Sequence, residues 1–195
     1  GNMIMGNYQG TNAAGTGAVP NTFNGVYLFS STSNTTIGGT VAGSANVISG
    51  NGQYGIWIAD AQSNTVVGNL IGTAVNGTSA LPNLTSGLRI QGGNNTIGGT
   101  TAAHRNVISG NTVHGVQLTS ATATGNTIIG NYIGVDQTGA AALANGMGVN
   151  IQVSATGNTI GGTTVGSANV ISGNMGDGIR ITNAPGNTVA GNRIG

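Results

Sequence analysis

The fold class predicted for this chain is all-β: a single-stranded parallel β-helix, a solenoid of three short strands per coil and about six coils. Three observations predict it. The pattern glycine, apolar, any residue, apolar recurs at Gly25, Gly55, Gly87, Gly115, Gly148 and Gly178, roughly every 30 residues. Two further strand-like units fall in each interval, with alternating apolar residues and with Gly or Asn at their ends. No stretch repeats its apolar residues at helical spacing.

The first strand of each coil is the glycine motif itself. GVYL, GIWI, GLRI, GVQL, GVNI and GIRI put Val26 and Leu28, Ile56 and Ile58, Leu88 and Ile90, Val116 and Leu118, Val149 and Ile151, and Ile179 and Ile181 on one strand face. The second strand, NTIGGT or NTVVGN, supplies Ile4, Ile37, Val66, Ile97, Ile128, Ile160 and Val189. The third, NVISGN or a form such as NLIG, supplies Ile48, Ile71, Ile108, Ile133, Ile171 and Ile194; Gln9 interrupts that column in the first coil. Stacked at the ~4.8 Å spacing of paired strands, like residues fall on like and form a one-dimensional core.

Two coil types alternate. In one, a loop such as TVAGSA parts the second and third strands; in the other those strands nearly abut, and a long loop such as GTAVNGTSALPN follows. The full repeat is therefore a pair of coils, roughly 62 residues. Asparagine keeps the same beat. One ladder runs Asn7, Asn46, Asn69, Asn106, Asn131, Asn169, Asn192, and another Asn64, Asn95, Asn126, Asn158, Asn187, with Thr35 standing in once. A third runs Asn21, Asn51, Asn83, Asn111, Asn174, with Asn145 displaced by one. Asparagine tolerates the left-handed backbone of a corner, and its amide can bond an identical amide one coil away. Both roles are expected of these columns.

Composition narrows the class further. The 195 residues form one domain, 1–195, in which 4% of residues are charged, against roughly 25% in ordinary domains. With 38 Gly but only 3 Pro, the chain does not read as a disordered linker. A net charge of +1 offers no basic patch, so nucleic acid is not an expected partner. There is no cysteine, hence no disulfide and no thiolate metal site. No apolar run approaches the ~20 residues of a spanning helix, so membrane insertion is not expected. The chain starts within a second strand and stops after a third, without the polar caps that protect solenoid ends. The expectation is a fragment or subunit of a longer array, its open ends stacking on other copies of the chain.

The alternation of N-T-[IV]-x-G-N-x-I-G with N-T-I-G-G-T, N-V-I-S-G-N and G-[IV]-x-I resembles the right-handed parallel β-helix repeats of large secreted bacterial surface proteins, which share the pectate-lyase-like superfold. The resemblance covers essentially the whole chain. It implies a right-handed single-stranded helix and a secreted or cell-surface location. It implies no single activity, because polysaccharide lyases, glycoside hydrolases, epimerases, phage tailspikes, adhesins and surface filaments all use the superfold.

The residues with chemistry are few. Glycoside hydrolysis needs two carboxylates about 5–9.5 Å apart. The chain has only Asp60, Asp136 and Asp177. Asp60 and Asp177 are four coils apart, roughly 19 Å by stacking alone, and Asp136 lies in another corner. No catalysis, cofactor or metal is expected. His104 and His114 share one period but have no third ligand or orienting carboxylate, and read as incidental loop residues. Asp177 and Arg180 read as a surface pair. The sequons at Asn34, Asn76 and Asn83 are matches that so Asn-rich a text generates by chance.

The leading expectation is a structural or adhesive extracellular domain: a rigid stalk, spacer or fibre subunit. The alternative is a carbohydrate-binding or vestigial carbohydrate-active β-helix. Its glycan contact is Tyr27 and Trp57, adjacent in the outward column Tyr27, Trp57, Arg89, Gln117, Asn150, Arg180. Tyr8 and Tyr132, in the third-strand column, share no such patch. A third reading is an ice-binding face on the outward column Thr36, Thr65, Thr96, Thr127, Thr159, Thr188.

Overall fold

The computed structural model describes all residues, 1–195. The chain winds into a parallel solenoid with three strands per coil. Its three sheets hold six first strands, seven second strands and seven third strands. First strands run from Val26–Phe29 to Ile179–Thr182, second strands from Met3–Ile4 to Thr188–Ala190, and third strands from Tyr8–Gln9 to Arg193–Ile194. Each strand pairs in parallel with its counterpart one coil away, as in Leu88↔Val116, Ile97↔Ile128 and Ile108↔Ile133. The only helical piece is a 3-10 turn at Ala102–His104. No helix is long and apolar enough to cross a membrane.

The predicted aliphatic columns meet in a single cluster of 24 buried residues. Full burial of one such Ile contributes about 1.5–3 kcal/mol. The cluster includes a fourth column, Ala61, Ala123, Ala155 and Ala184, at the corner after the first strand. Gln9 pairs with Ile48 as expected, and its Oε1 has no hydrogen-bond partner.

The glycine that opens every first strand has a steric reason. A Cβ on Gly25, Gly55, Gly87, Gly115, Gly148 or Gly178 would lie 2.5–3.0 Å from the Cγ2 of the third-strand isoleucine it faces, Ile48 through Ile194. Glycine and isoleucine therefore share one volume across the coil.

The asparagine columns form continuous amide ladders. Along one, Asn46 Nδ2 donates to Asn69 Oδ1 (2.9 Å), Asn69 to Asn106 (3.0 Å) and Asn106 to Asn131 (2.9 Å). The backbone N–H of each residue donates to the same oxygen, and the second side-chain hydrogen goes to a carbonyl, as in Asn106 to Val66 (2.8 Å). Donors and acceptors are thus paired throughout the buried part of the ladder. Two expectations need correction. No ladder asparagine adopts the left-handed conformation; that backbone falls to glycines such as Gly68 and Gly130 just before Asn69 and Asn131, and to Ser30, Asp60 and Val153 elsewhere. The ladder amides are occupied holding coils together, whereas glycine turns without steric cost. Asn145 is also not displaced in space: Asn111 donates to it at 2.9 Å and it donates to Asn174 at 3.0 Å.

The two coil types recur as expected. The long loops close by antiparallel bridges, Thr11↔Ala18, Thr73↔Ala80 and Val135↔Ala142. They also stack on one another past the intervening coil, through Val75 N–H to the Gly15 carbonyl and Gln137 N–H to the Gly77 carbonyl, both 2.9 Å. These loops lie against the third sheet, as where Gly15 approaches the Tyr8 ring and Gly139 the Tyr132 ring.

Candidate functional site

Alternation along the first strand sends Tyr27 and Trp57 outward, and register makes them neighbours. Their ring centroids are 4.8 Å apart at 37°. Phe29, two residues along the same strand, stacks on Tyr27 at 5.6 Å, and Tyr54 meets Trp57 at 5.7 Å. Phe23, Asn24 and Gln53 complete a cleft of about 490 Å³ with Tyr27 and Trp57. Three of these rings remain open to solvent: Phe23 is 63%, Tyr27 48% and Phe29 58% exposed. Contiguous exposed aromatic surface of this kind is a candidate contact site.

The Trp57 ring is fixed from behind. Its Nε1 donates to Gln91 Oε1 at 2.7 Å. The Arg89 guanidinium lies 5.1 Å from the Trp57 ring and 5.2 Å from that of Tyr54, and its Nη1 donates to Tyr54 Oη at 2.6 Å. Arg89 Nε is buried without a partner. The outward column of the sequence pairs Tyr27 with Trp57 but leaves out Tyr54, Phe23 and Phe29. Phe29 is legible from the same alternation. Tyr54 and Phe23 lie in turns, where side-chain direction follows from no period.

Further along the same face, Ser86, His114 and Asn150 form a chain across three successive coils. Ser86 Oγ lies 3.0 Å from His114 Nδ1, and Asn150 Nδ2 lies 3.2 Å from Nε2. His114 is no incidental loop residue: it opens the strand His114–Thr119. Burial, with the nearby Arg180 charge, lowers its pKa below the ordinary 6.5. His104 stands apart, in the 3-10 turn, with Nδ1 2.6 Å from Thr101 Oγ1.

The carboxylates do not converge. Asp60 follows the first strand of its coil and accepts from Thr122 Oγ1 at 3.2 Å. Asp177 precedes the last first strand. Asp136 Oδ1 accepts from the Thr138 hydroxyl (2.7 Å) and from the Thr138, Ala140 and Ala141 amides. The Thr138 hydroxyl bond above all lowers its pKa, against the opposing effect of partial burial. Asp136 thereby closes its own loop. No three residues among His, Cys, Asp and Glu stand together as a metal site.

The threonine column is in register from Thr36 to Thr188, as in Thr96↔Thr127. It runs as a single file of mostly half-buried side chains. The adjoining positions Gly38, Val67, Gly98 and Ile129 change from coil to coil, so no second file completes a lattice. Of the sequons, which also include Asn94-Asn95-Thr96, the one at Asn83 is closed, because that residue is fully buried in an amide ladder. Asn34 and Asn76 are exposed. No protein-family model matches the chain, and no curated protein or solved structure matches it.

Proposed function

We propose that this chain is a structural domain of the cell exterior, a rigid spacer or stalk segment of the adhesin kind without catalysis of its own. The supporting observation is the continuity of the stack: three sheets and three amide ladders run from coil to coil without interruption. The ion-poor composition agrees with this, and so does Asp136, whose carboxylate is occupied in closing a turn. The extracellular, bacterial setting rests on the repeat's resemblance to secreted β-helix proteins. Stretching single molecules between their termini tests the reading. Stepwise release of coils at a defined force is expected; extension without any resolved resistance would sink it.

A second reading has its own support in the aromatic cleft. Tyr27, Phe23 and Trp57 offer ring faces for the apolar side of a sugar, and Asn24, Gln53 and Gln91 offer amides for its hydroxyls. On this reading the spacer also holds a glycan. Binding to an oligosaccharide panel should fall at least tenfold, about 1.4 kcal/mol, in Trp57→Ala. A blank panel, or equal binding by the variant, removes it.

A further inference from the structure

We propose that His114, Asn150 and Gln152 form a proton-operated amide switch on the first sheet, with Ser86 as its fixed end. Asn150 is 2% exposed. Its Nδ2 is within hydrogen-bond reach of His114 Nε2 at 3.2 Å and donates to Gln152 Oε1 at 3.3 Å, while its Oδ1 has no partner. A carboxamide nitrogen has no lone pair to offer, so in this arrangement Nε2 must accept. His114 is then neutral and carries its proton on Nδ1, which donates to Ser86 Oγ at 3.0 Å.

Protonation breaks this arrangement. An Nε2–H would point at the Asn150 amino group, donor against donor, and Asn150 itself is closed to solvent. Turning the Asn150 carboxamide over puts Oδ1 where Nδ2 was, and Oδ1 can accept from Nε2–H. The amino group then occupies the position where the carbonyl already lacked a partner. Either orientation leaves one polar group of Asn150 unpartnered, so turning it over exchanges one orphan for another and the His114 proton decides between them. Gln152 must follow: it accepts from Asn150 in the neutral state and has to donate to it in the charged one. Gln152 is half-exposed. The group it leaves facing solvent therefore changes from an amino donor to a carbonyl acceptor.

The charged and titratable groups along this face are Arg89, on the strand Ser86–Ile90, and Tyr54, in a turn, toward one end, and Arg180, on Ile179–Thr182, and Asp177, just before it, toward the other. Burial, and after it the Arg180 charge, lowers the His114 pKa below its ordinary value. The switch does not rest on the glycan reading.

Nitrogen-15 NMR of the free chain tests it directly. Near neutral pH the His114 ring should show the Nδ1–H tautomer. As pH falls, the Asn150 and Gln152 side-chain amide signals should move with the His114 midpoint. The variant His114→Met should abolish that co-titration and leave the ladder amides of Asn106 and Asn131 unmoved. Met147 is its register partner one coil on, so the position accommodates methionine. An Nε2–H tautomer at neutral pH, or Asn150 signals indifferent to the His114 titration, overturns the switch. Neither result depends on what the aromatic cleft binds.

Discussion

Val153 is a β-branched residue at φ 55, followed by Ser154 at φ 61. The left-handed region crowds Cβ against the following carbonyl and costs a residue about 1–2 kcal/mol. The corresponding corners of other coils use Ser30, Asp60 and Asn183, small or polar residues that bear this better. Val153 is 57% exposed, so its side chain recovers little by packing. Val153→Asn should therefore raise stability by about 1 kcal/mol, read as a higher denaturant midpoint at unchanged slope. A lower midpoint would show that Val153 makes a contact worth more than its strain. The opposite case is Gly115, where an added Cβ would stand 2.7 Å from Ile133 Cγ2 and 2.8 Å from the Gly148 carbonyl. Gly115→Ala should cost about 1–3 kcal/mol by overpacking. Ile133→Leu moves the branch off Cβ and should return part of that loss, a non-additivity of at least about 0.5 kcal/mol in a double-mutant cycle. Strict additivity would mean that the backbone carbonyl alone forbids the side chain.

Among the elements, the amide ladder tells most about how this sequence works. Within the ladder, Asn106 Oδ1 accepts from both the backbone and side-chain nitrogens of Asn69, and Asn106 Nδ2 donates to Val66 and Asn131. Asn106→Ala leaves the two Asn69 donors in a buried site without that acceptor. It should cost about 3 kcal/mol, because stranding buried polar groups is more expensive than a bond is worth. Asn7→Ala, at the solvent-exposed end of the same ladder, should cost no more than about 1 kcal/mol. Equal losses at both positions would make the ladder a set of independent turns. The strands and their columns were readable in the sequence, because a two-residue alternation repeated every coil admits one register. What asparagine does at the corners was not. Both a left-handed turn and an inward amide favour the same residue, and only the hydrogen bonds tell them apart. The Ala61 to Ala184 column was equally silent, since alanine interrupts no pattern. The aromatic site was half readable: Tyr27, Trp57 and Phe29 follow from strand alternation, whereas Tyr54 enters from a turn, and the Arg89 clamp on it depends on side-chain rotamers.

The whole molecule is a stack in which the strands of each coil pair only with those of the coils above and below it. The long loops and the Thr122 bond to Asp60 reach one coil further. Stability then approximates a sum of coil terms and nearest-neighbour interfaces, so protection should vary along the axis rather than from sheet to sheet. The burial pattern already shows such a gradient. First-strand core residues of the middle coils, Leu88, Ile90, Val116, Leu118, Val149 and Ile151, are fully buried. Core residues of the last coil are not: Ile181 is 45%, Val189 39% and Ile194 53% exposed, because each has a neighbour on one side only. Amide hydrogen exchange should therefore be slowest in the strand His114–Thr119 and fastest in Ile179–Thr182 and Thr188–Ala190, though all are paired in parallel sheets. A core truncation in the last coil, Ile181→Ala, should speed exchange there and leave His114–Thr119 almost unchanged. The matching truncation in the middle, Leu118→Ala, should cost about 2–5 kcal/mol and loosen both flanking coils. Uniform protection along the axis, or equal response to the two truncations, would show a single cooperative block, and the nearest-neighbour account would fail.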